Sequence, residues 1–320
     1  MIFASAMLVA MAVDVAIGWP DAIYRRIGHP VTWIGALIRW LDTKMNRETD
    51  PRSFRRAMGA MAAAIVIGVA ALIGHVVQSQ LAGGWVAVVG IGVLAWPLVA
   101  LRSMHDHVAA VARPLISGDL PGARHAVSMI VGRDPSALDT PAVARAALES
   151  LAENTSDGII APLFWGAVFG LPGIAAYKAI NTLDSMIGHR TPRHNEFGWA
   201  SARIDDLINL APARLTGVLF ALASRRPAAS LGVMWRDASQ HRSPNAGWPE
   251  SALAGALDIR LSGPRAYHNH IAEEPWLNAA APDPTPPDVL RGLALYRRAM
   301  AGAAVLLAVG AGLAAGLGLQ

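Results

Sequence analysis

The chain has 320 residues, 53% of them hydrophobic and only 16% charged, with a mean hydropathy of +0.37. Soluble globular domains carry about a quarter charged residues, so the composition excludes that class and points to a polytopic membrane protein. The net charge of +4 rests on 27 basic side chains, of which only Lys44 and Lys178 are lysines. In a membrane protein such a surplus reports topology before nucleic-acid binding, and no nucleic-acid partner is expected. The absence of cysteine excludes disulfides, thiolate metal sites and thiol nucleophiles.

A first span is expected over residues 2–18, with Asp14 inside it; an intramembrane acid is costly enough to imply a paired or functional role. No basic leader precedes it, so it does not read as a signal peptide. The following segment, Trp19 to Arg56, carries eight basic residues and is expected on the cytoplasmic side. It contains the turn-rich run Gly28-His29-Pro30-Val31-Thr32-Trp33-Ile34-Gly35, in which His29 either donates to a substrate or caps and packs. Residues 57–77 hold no Asp, Glu, Lys or Arg, and about 20 such positions cross a hydrocarbon core of roughly 30 Å. Residues 81–101 and 300–319 read the same way. The uncharged link Gln78 to Gln80 is expected outside, which returns the chain to the cytoplasm at Arg102. From there to Asp157, with Arg113, Arg124, Arg133 and Arg145, Pro, Gly and Asp predict short capped helices. Asp139 or Thr140 before Pro141 marks the start of the helix that bears Glu149.

Residues 158–180 are apolar but interrupted by Pro162, Gly166, Gly170, Pro172 and Gly173. A full crossing would separate the polar groups on its two sides. A broken or re-entrant segment keeps them in one compartment, and irregular backbone at membrane depth is tolerated where it lines a cavity. The second reading is preferred. Residues 207–223, apolar around Pro212 and Arg214, either cross or lie at the interface. Nine arginines between Arg225 and Arg298 predict another cytoplasmic region before the last span. The expected fold class is all-α: one polytopic helical membrane domain over residues 1–320, with a broken or re-entrant central segment and cytoplasmic helical loops.

Glu149, Glu153 and Asp157 are spaced by four and four, so a continuous helix would put all three near one face, with Asn154 beside them. With Asp184 they are hard oxygen ligands, and Glu153, Asp157 and Asp184 form the expected magnesium set. Lys178 offers a compact charge to a phosphate, while Arg190, Arg203 and Arg214 offer forks for phosphate or carboxylate. Asn154, Asn181 and Asn245 supply donors and acceptors for orienting a substrate. The plainer alternative is a solvated, capped helix end: Glu149 and Glu153 as surface acids, Asp157 capping before Gly158, Lys178 snorkelling to the interface. Asp205-Asp206 beside Arg203 repeats the same residue types next to apolar sequence, which favours chemistry. No GxxxxGK[ST] and no GxGxxG is present, so any nucleotide is held by other means.

Five blocks, GHPVTWIG, ESLAENTSDGIIAPLFW, YKAINTLDSMIGHR, FGWASARIDDLINLAPARLTG and SPNAGWPESALAGAL, together and in this order resemble the adenosylcobinamide-phosphate synthases of cobalamin biosynthesis. The resemblance runs from about Asp14 to Gly263; Tyr267 to Pro287 and the last span add little. It implies an integral membrane carbon–nitrogen ligase that joins adenosylcobyric acid to aminopropanol, its phosphate or a related amino-alcohol, with ATP and magnesium, through an acyl phosphate. It further implies the bacterial inner membrane, a cytoplasmic active site, contact with membrane lipid, and a homo-oligomer or a complex with other corrinoid-pathway enzymes. Under it, Glu149, Glu153, Asp157, Asp184 and Lys178 are the expected catalytic residues. His29, Asn154, Asn181, Arg190, Arg203, Arg214 and Asn245 are expected to bind substrate or phosphate. Two alternatives stand beside it: a transporter that uses Asp14 and the broken segment as its path, and a membrane scaffold for other enzymes.

Overall fold

Apolar sequence becomes helix almost throughout. The computed structural model describes residues 2–132, 134–267 and 270–316, without the side chains of 265–272; Arg133 and residues 317–319 of the expected last span lie outside the described residues. In chain order the helices are α1 (Ile2–Ile17), α2 (Asp21–Ile27), α3 (Pro30–Met45), α4 (Arg52–Ser79), α5 (Trp85–Ala95), α6 (Leu101–Ser117), α7 (Leu120–Ser128), α8 (Thr140–Thr155), α9 (Ala161–Ile187), α10 (Trp199–Ile208), α11 (Leu210–Ala223), α12 (Pro227–Asp237), α13 (Gly247–Leu257) and α14 (Pro286–Gly316). Four helical segments, 52–79, 85–117, 140–187 and 286–316, are long and apolar enough to cross a membrane, or six if each bent pair of shorter helices counts as one span. Two short antiparallel ladders complete the described structure: β1 (Leu261–Ser262) with β4 (Trp276–Leu277), and β2 (Arg265–Tyr267) with β3 (His270–Ala272). The described residues group into two compact units, residues 1–100, 161–209 and 306–320, and residues 101–160 and 210–305.

In the first unit α1 leads through a 109° bend to α2 and α3. His29 starts α3: its Nδ1 accepts from Val31 N at 3.2 Å, while Thr32 Oγ1 accepts from His29 N at 3.3 Å. This reciprocal cap satisfies two N–H groups that the helix leaves open. The expected span 81–101 is displaced. Helix begins only at Trp85, after Gly84 at φ 69°, and α5 gives way to a 3-10 turn at Trp96–Leu98, where Pro97 has no N–H to continue the ladder. The core packs α3, α4 and α9 through Ile38, Leu41, Val66, Leu183, Ile187 and Phe197. Small residues let these backbones approach: a Cβ on Gly74 would lie 2.7 Å from Leu171 O, and one on Gly59 would collide with Phe197 O.

α9 is broken in its middle. Gly170 has φ 69° and ψ −146°, with Pro172 two residues later. A Cβ on Gly166 would lie 3.4 Å from Ile174, and one on Gly173 would collide with Trp165 O; residues eight apart on a continuous helix are about 12 Å apart along its axis. The chain therefore folds back at Gly170. The second arm then runs antiparallel to α4, from Leu171 beside Gly74 to Ile187, whose carbonyl meets Gly198 while Phe197 meets Gly59. Gln78 Oε1 accepts from Leu171 N at 2.8 Å, closing an N–H that the break leaves open.

In the second unit Asp139 caps α8, its Oδ1 accepting from Ala142 N at 2.9 Å ahead of Pro141. α8 ends in a π-turn over Ser156–Ile160. The unit's interior includes Leu148, Leu151 and Leu253, and a Cβ on Gly292 of α14 would collide with Leu148. Buried Tyr296 of α14 donates to Leu101 O at 2.7 Å.

Candidate functional site

The second arm of α9 carries the polar ladder of the first unit. Lys178, Asn181 and Asp184 are all half-buried, one turn apart on a helix whose other faces hold Ile174, Ala179 and Leu183 at 0% exposure. Lys178 is an electrostatic neighbour of His29, and Asp184 of His189 and Asp206. Tyr177, 1% exposed, donates to Asn209 Oδ1 at 2.9 Å, and Asn209 Nδ2 donates to Asp205 Oδ2 at 3.0 Å. This chain pins α10 to α9 and orders the Asp205-Asp206 pair. Arg203 Nη1 pairs with Asp206 Oδ2 at 3.0 Å, so one expected phosphate fork is already half engaged. Arg190 is exposed. The His29 ring spends Nδ1 on its cap and packs edge-on to Trp19 at 5.0 Å between centroids, which is the capping geometry among its two readings.

A second polar network in this unit was not flagged by any motif. Buried Arg55 donates from Nε to Asn46 Oδ1 at 3.0 Å and from Nη2 to Arg193 O at 2.5 Å. Arg193 in turn grips Asp42 Oδ2 from Nε and Nη2 at 3.0 and 2.9 Å. Arg56 Nε pairs with Glu196 Oε2 at 2.5 Å. These bonds tie the loop after α9 to α3 and α4, and with it the C-terminal end of the ladder.

The second unit holds the other expected residues. Glu149 is 6% exposed and its Oε1 accepts from Ser262 N of β1 at 2.7 Å. Glu153 and Asn154 are exposed and Asp157 is half-buried. Asp157 lies within the π-turn that follows α8, whereas Glu149 and Glu153 lie in α8 itself. Asp157 is accordingly not a helix N-cap. Arg214 donates from Nη1 to Leu210 O at 2.8 Å and lies over the Trp248 ring at 4.2 Å. Asn245 is buried in the loop before α13. There His241 Nε2 lies 3.8 Å from Glu250 Oε1, both side chains nearly inaccessible.

The segment 260–283, which sequence left unmarked, supplies a dense set of contacts here. The Arg145 and Arg260 guanidiniums lie 4.6 and 4.3 Å from the Trp276 ring centroid, and both arginines pair with Asp283. The Arg260 and Arg145 guanidiniums, outweighing partial burial, hold the Asp283 carboxyl below the usual carboxylate range. For Asp237, burial alone would raise the pKa. Arg236, bonded through Nε and Nη2, and the Asn278 N–H at 2.8 Å reverse that and lower it.

Among the described residues no three His, Asp or Glu side chains gather as a ready-made metal site. Magnesium takes one or two carboxylates when substrate phosphates complete its shell, and the carboxylates present have that character. Gly188 leaves Asp184 open, since a Cβ there would collide with its Oδ1.

Four to six helical spans long and apolar enough to cross a bilayer define a polytopic helical membrane protein. The chain matches the CobD/Cbib protein family over residues 7–296 and belongs to that family. It is 68% identical over 305 residues to the cobalamin biosynthesis protein CobD of Rhodobacter capsulatus, covering 95% of this chain and 96% of the relative. Its identity to the protein of the same name from a Sinorhizobium species is 47% over 298 residues, 91% of this chain and 92% of the relative. The Brucella suis protein of that name is 48% identical over 278 residues, 84% and 85% of the two chains. No solved structure matches the chain.

Proposed function

We propose that this chain, within cobalamin biosynthesis, forms an amide between the free propionate of adenosylcobyric acid and the amino group of aminopropanol or its phosphate. The observation that carries the reading is the half-buried Lys178, Asn181 and Asp184 ladder on the second arm of α9, within the residues that match the family. Carboxylate and ammonium do not condense unaided in water, and ATP is the co-substrate that drives the step. A propionate oxygen attacks the γ-phosphorus and ADP departs. The amine then attacks the acyl carbon, loses a proton and releases inorganic phosphate.

Lys178 balances phosphate charge as a compact cation. Arg190 and Arg203 of the first unit hold phosphate or propionate with the donors their protein contacts leave over. Asp184 accepts from the incoming ammonium and takes its proton, with Asn181 orienting it. In the second unit Asn154 and Asn245 orient substrate groups. Glu149 acts by holding Ser262 rather than by touching substrate. Glu153 and Asp157, both of the second unit, are the carboxylates that would hold magnesium, which when bound would supply charge neutralisation at phosphates. A cytoplasmic active site at the inner membrane is part of this reading, and the arginine-rich segments between the apolar helices support it.

The test is purified protein in liposomes with adenosylcobyric acid, amino-alcohol phosphate, ATP and magnesium, scored by amide product. Asp184→Asn is expected to lower turnover by about a hundredfold or more, the scale of losing a general base, with membrane insertion unchanged. Folded protein that makes no amide would overturn the reading, and near-normal turnover in Asp184→Asn would remove that residue from the chemistry.

A further inference from the structure

Five arginines of the second unit line one cavity of about 740 Å3: Arg225 and Arg226 after α11, and Arg291, Arg297 and Arg298 on α14, with Leu257 at the end of α13 beside them. That volume falls in the roughly 300–1,000 Å3 range of small-ligand sites. Two of the five have partners. Arg226 Nη1 is 2.6 Å from Asp258 Oδ2, and Arg291 Nη1 is 2.5 Å from Asp288 Oδ1 while its Nη2 donates to Leu257 O at 2.8 Å. Among the described residues Arg225, Arg297 and Arg298 have no ion pair, and all five arginines are exposed at the cavity. Topological arginines satisfy the positive-inside rule by snorkelling separately into water. These converge on a shared concavity, where like charges repel until an anion enters, and guanidinium forks match phosphate oxygens.

A second feature selects the kind of phosphate. Beyond Arg298 the same helix is apolar and bare, with Val305 63% exposed, and Leu222 at the end of α11 is 65% exposed. Val305 stands seven positions after Arg298, about 10 Å along the helix, which is the depth between a headgroup phosphate and the acyl region. An anionic head with apolar tails matches both features, whereas a soluble phosphate uses only the first. Basic pockets beside membrane helices on the cytoplasmic side are suited to such headgroups.

We propose that this cavity binds the phosphate headgroup of an anionic phospholipid, its acyl chains lying along α14. It uses none of the residues assigned to amide formation, so the two readings stand or fall separately. The experiment places the full-length protein in nanodiscs of phosphatidylcholine with and without phosphatidylglycerol and measures retained lipid by native mass spectrometry. Phosphatidylglycerol is expected to be retained in preference to phosphatidylcholine. The triple variant Arg225→Gln, Arg297→Gln, Arg298→Gln is expected to lose that preference by on the order of 10- to 100-fold. If the triple variant does not fold, each single substitution is expected to cost about fivefold. Unchanged preference in folded variants would overturn the proposal. So would displacement of the lipid by millimolar inorganic phosphate or ATP, which would assign the cavity to a soluble phosphate; retention in their presence supports the lipid.

Discussion

Asp283 receives Arg260 and Arg145 beside Trp276, and its folded pKa lies below the usual value. A carboxylate depressed in the folded state stabilises fully above its unfolded pKa of about 3.9, and that contribution is lost as pH falls through the lower folded value. Asp237 shifts in the same direction. The thermal midpoint in detergent is therefore expected to hold steady as pH falls toward about 4 and to drop below it. Because Asp283 is a third exposed, Asp283→Asn is expected to cost only about 1–2 kcal/mol at neutral pH and to flatten the acid limb. An acid limb identical in wild type and variant would show that these pairs do not govern it. None of this was legible in the chain as written. The partners Arg145 and Asp283 stand 138 positions apart, in a segment that carries none of the signature blocks. Glu149 was legible as important but not as buried, because what it binds is a backbone N–H 113 residues away.

The break in α9 is an element-scale device. Gly170 holds a positive φ, and a Cβ there would collide with Gln78 Oε1 and lie 2.9 Å from Phe3. Gly170→Ala is expected to destabilise by about 1–3 kcal/mol through strain alone and to displace Gln78 from the Leu171 N–H. A folded variant with a wild-type denaturation midpoint would refute this account of the turn. The interruption was visible in the sequence as five Gly and Pro positions in an apolar run, and Asp139 was visible as a cap because capping is local chemistry. The π-turn at Ser156–Ile160 was not visible, since no residue type marks i to i+5 pairing. The spacing argument that placed Asp157 with Glu149 and Glu153 assumed a regular α-helix through that turn.

At the scale of the molecule, hydropathy identified the class, and the five blocks in their order identified the family. It did not reveal that the described residues divide into two units, because apolar and basic segments alternate through both. Within the first unit the antiparallel course of α4 and the second arm of α9 gives a topology that can be checked. The chain has no cysteine, so single cysteines report cleanly. Ser53→Cys and Ser185→Cys, both at exposed positions, are expected to react with an impermeant thiol reagent from the same side of sealed vesicles, and Ser79→Cys from the opposite side. Ser53→Cys and Ser185→Cys labelling from opposite sides would break the antiparallel arrangement. The bond between Gln78 and the Leu171 N–H also has a place in time. Its two ends are 93 residues apart, so at about 5–20 residues per second the acceptor leaves the ribosome roughly 5–20 s before the donor. An N–H without a partner costs several kcal/mol in lipid. The order of the genes' reading thus lets α4 settle first and present Gln78 as a waiting acceptor when the turn of α9 arrives.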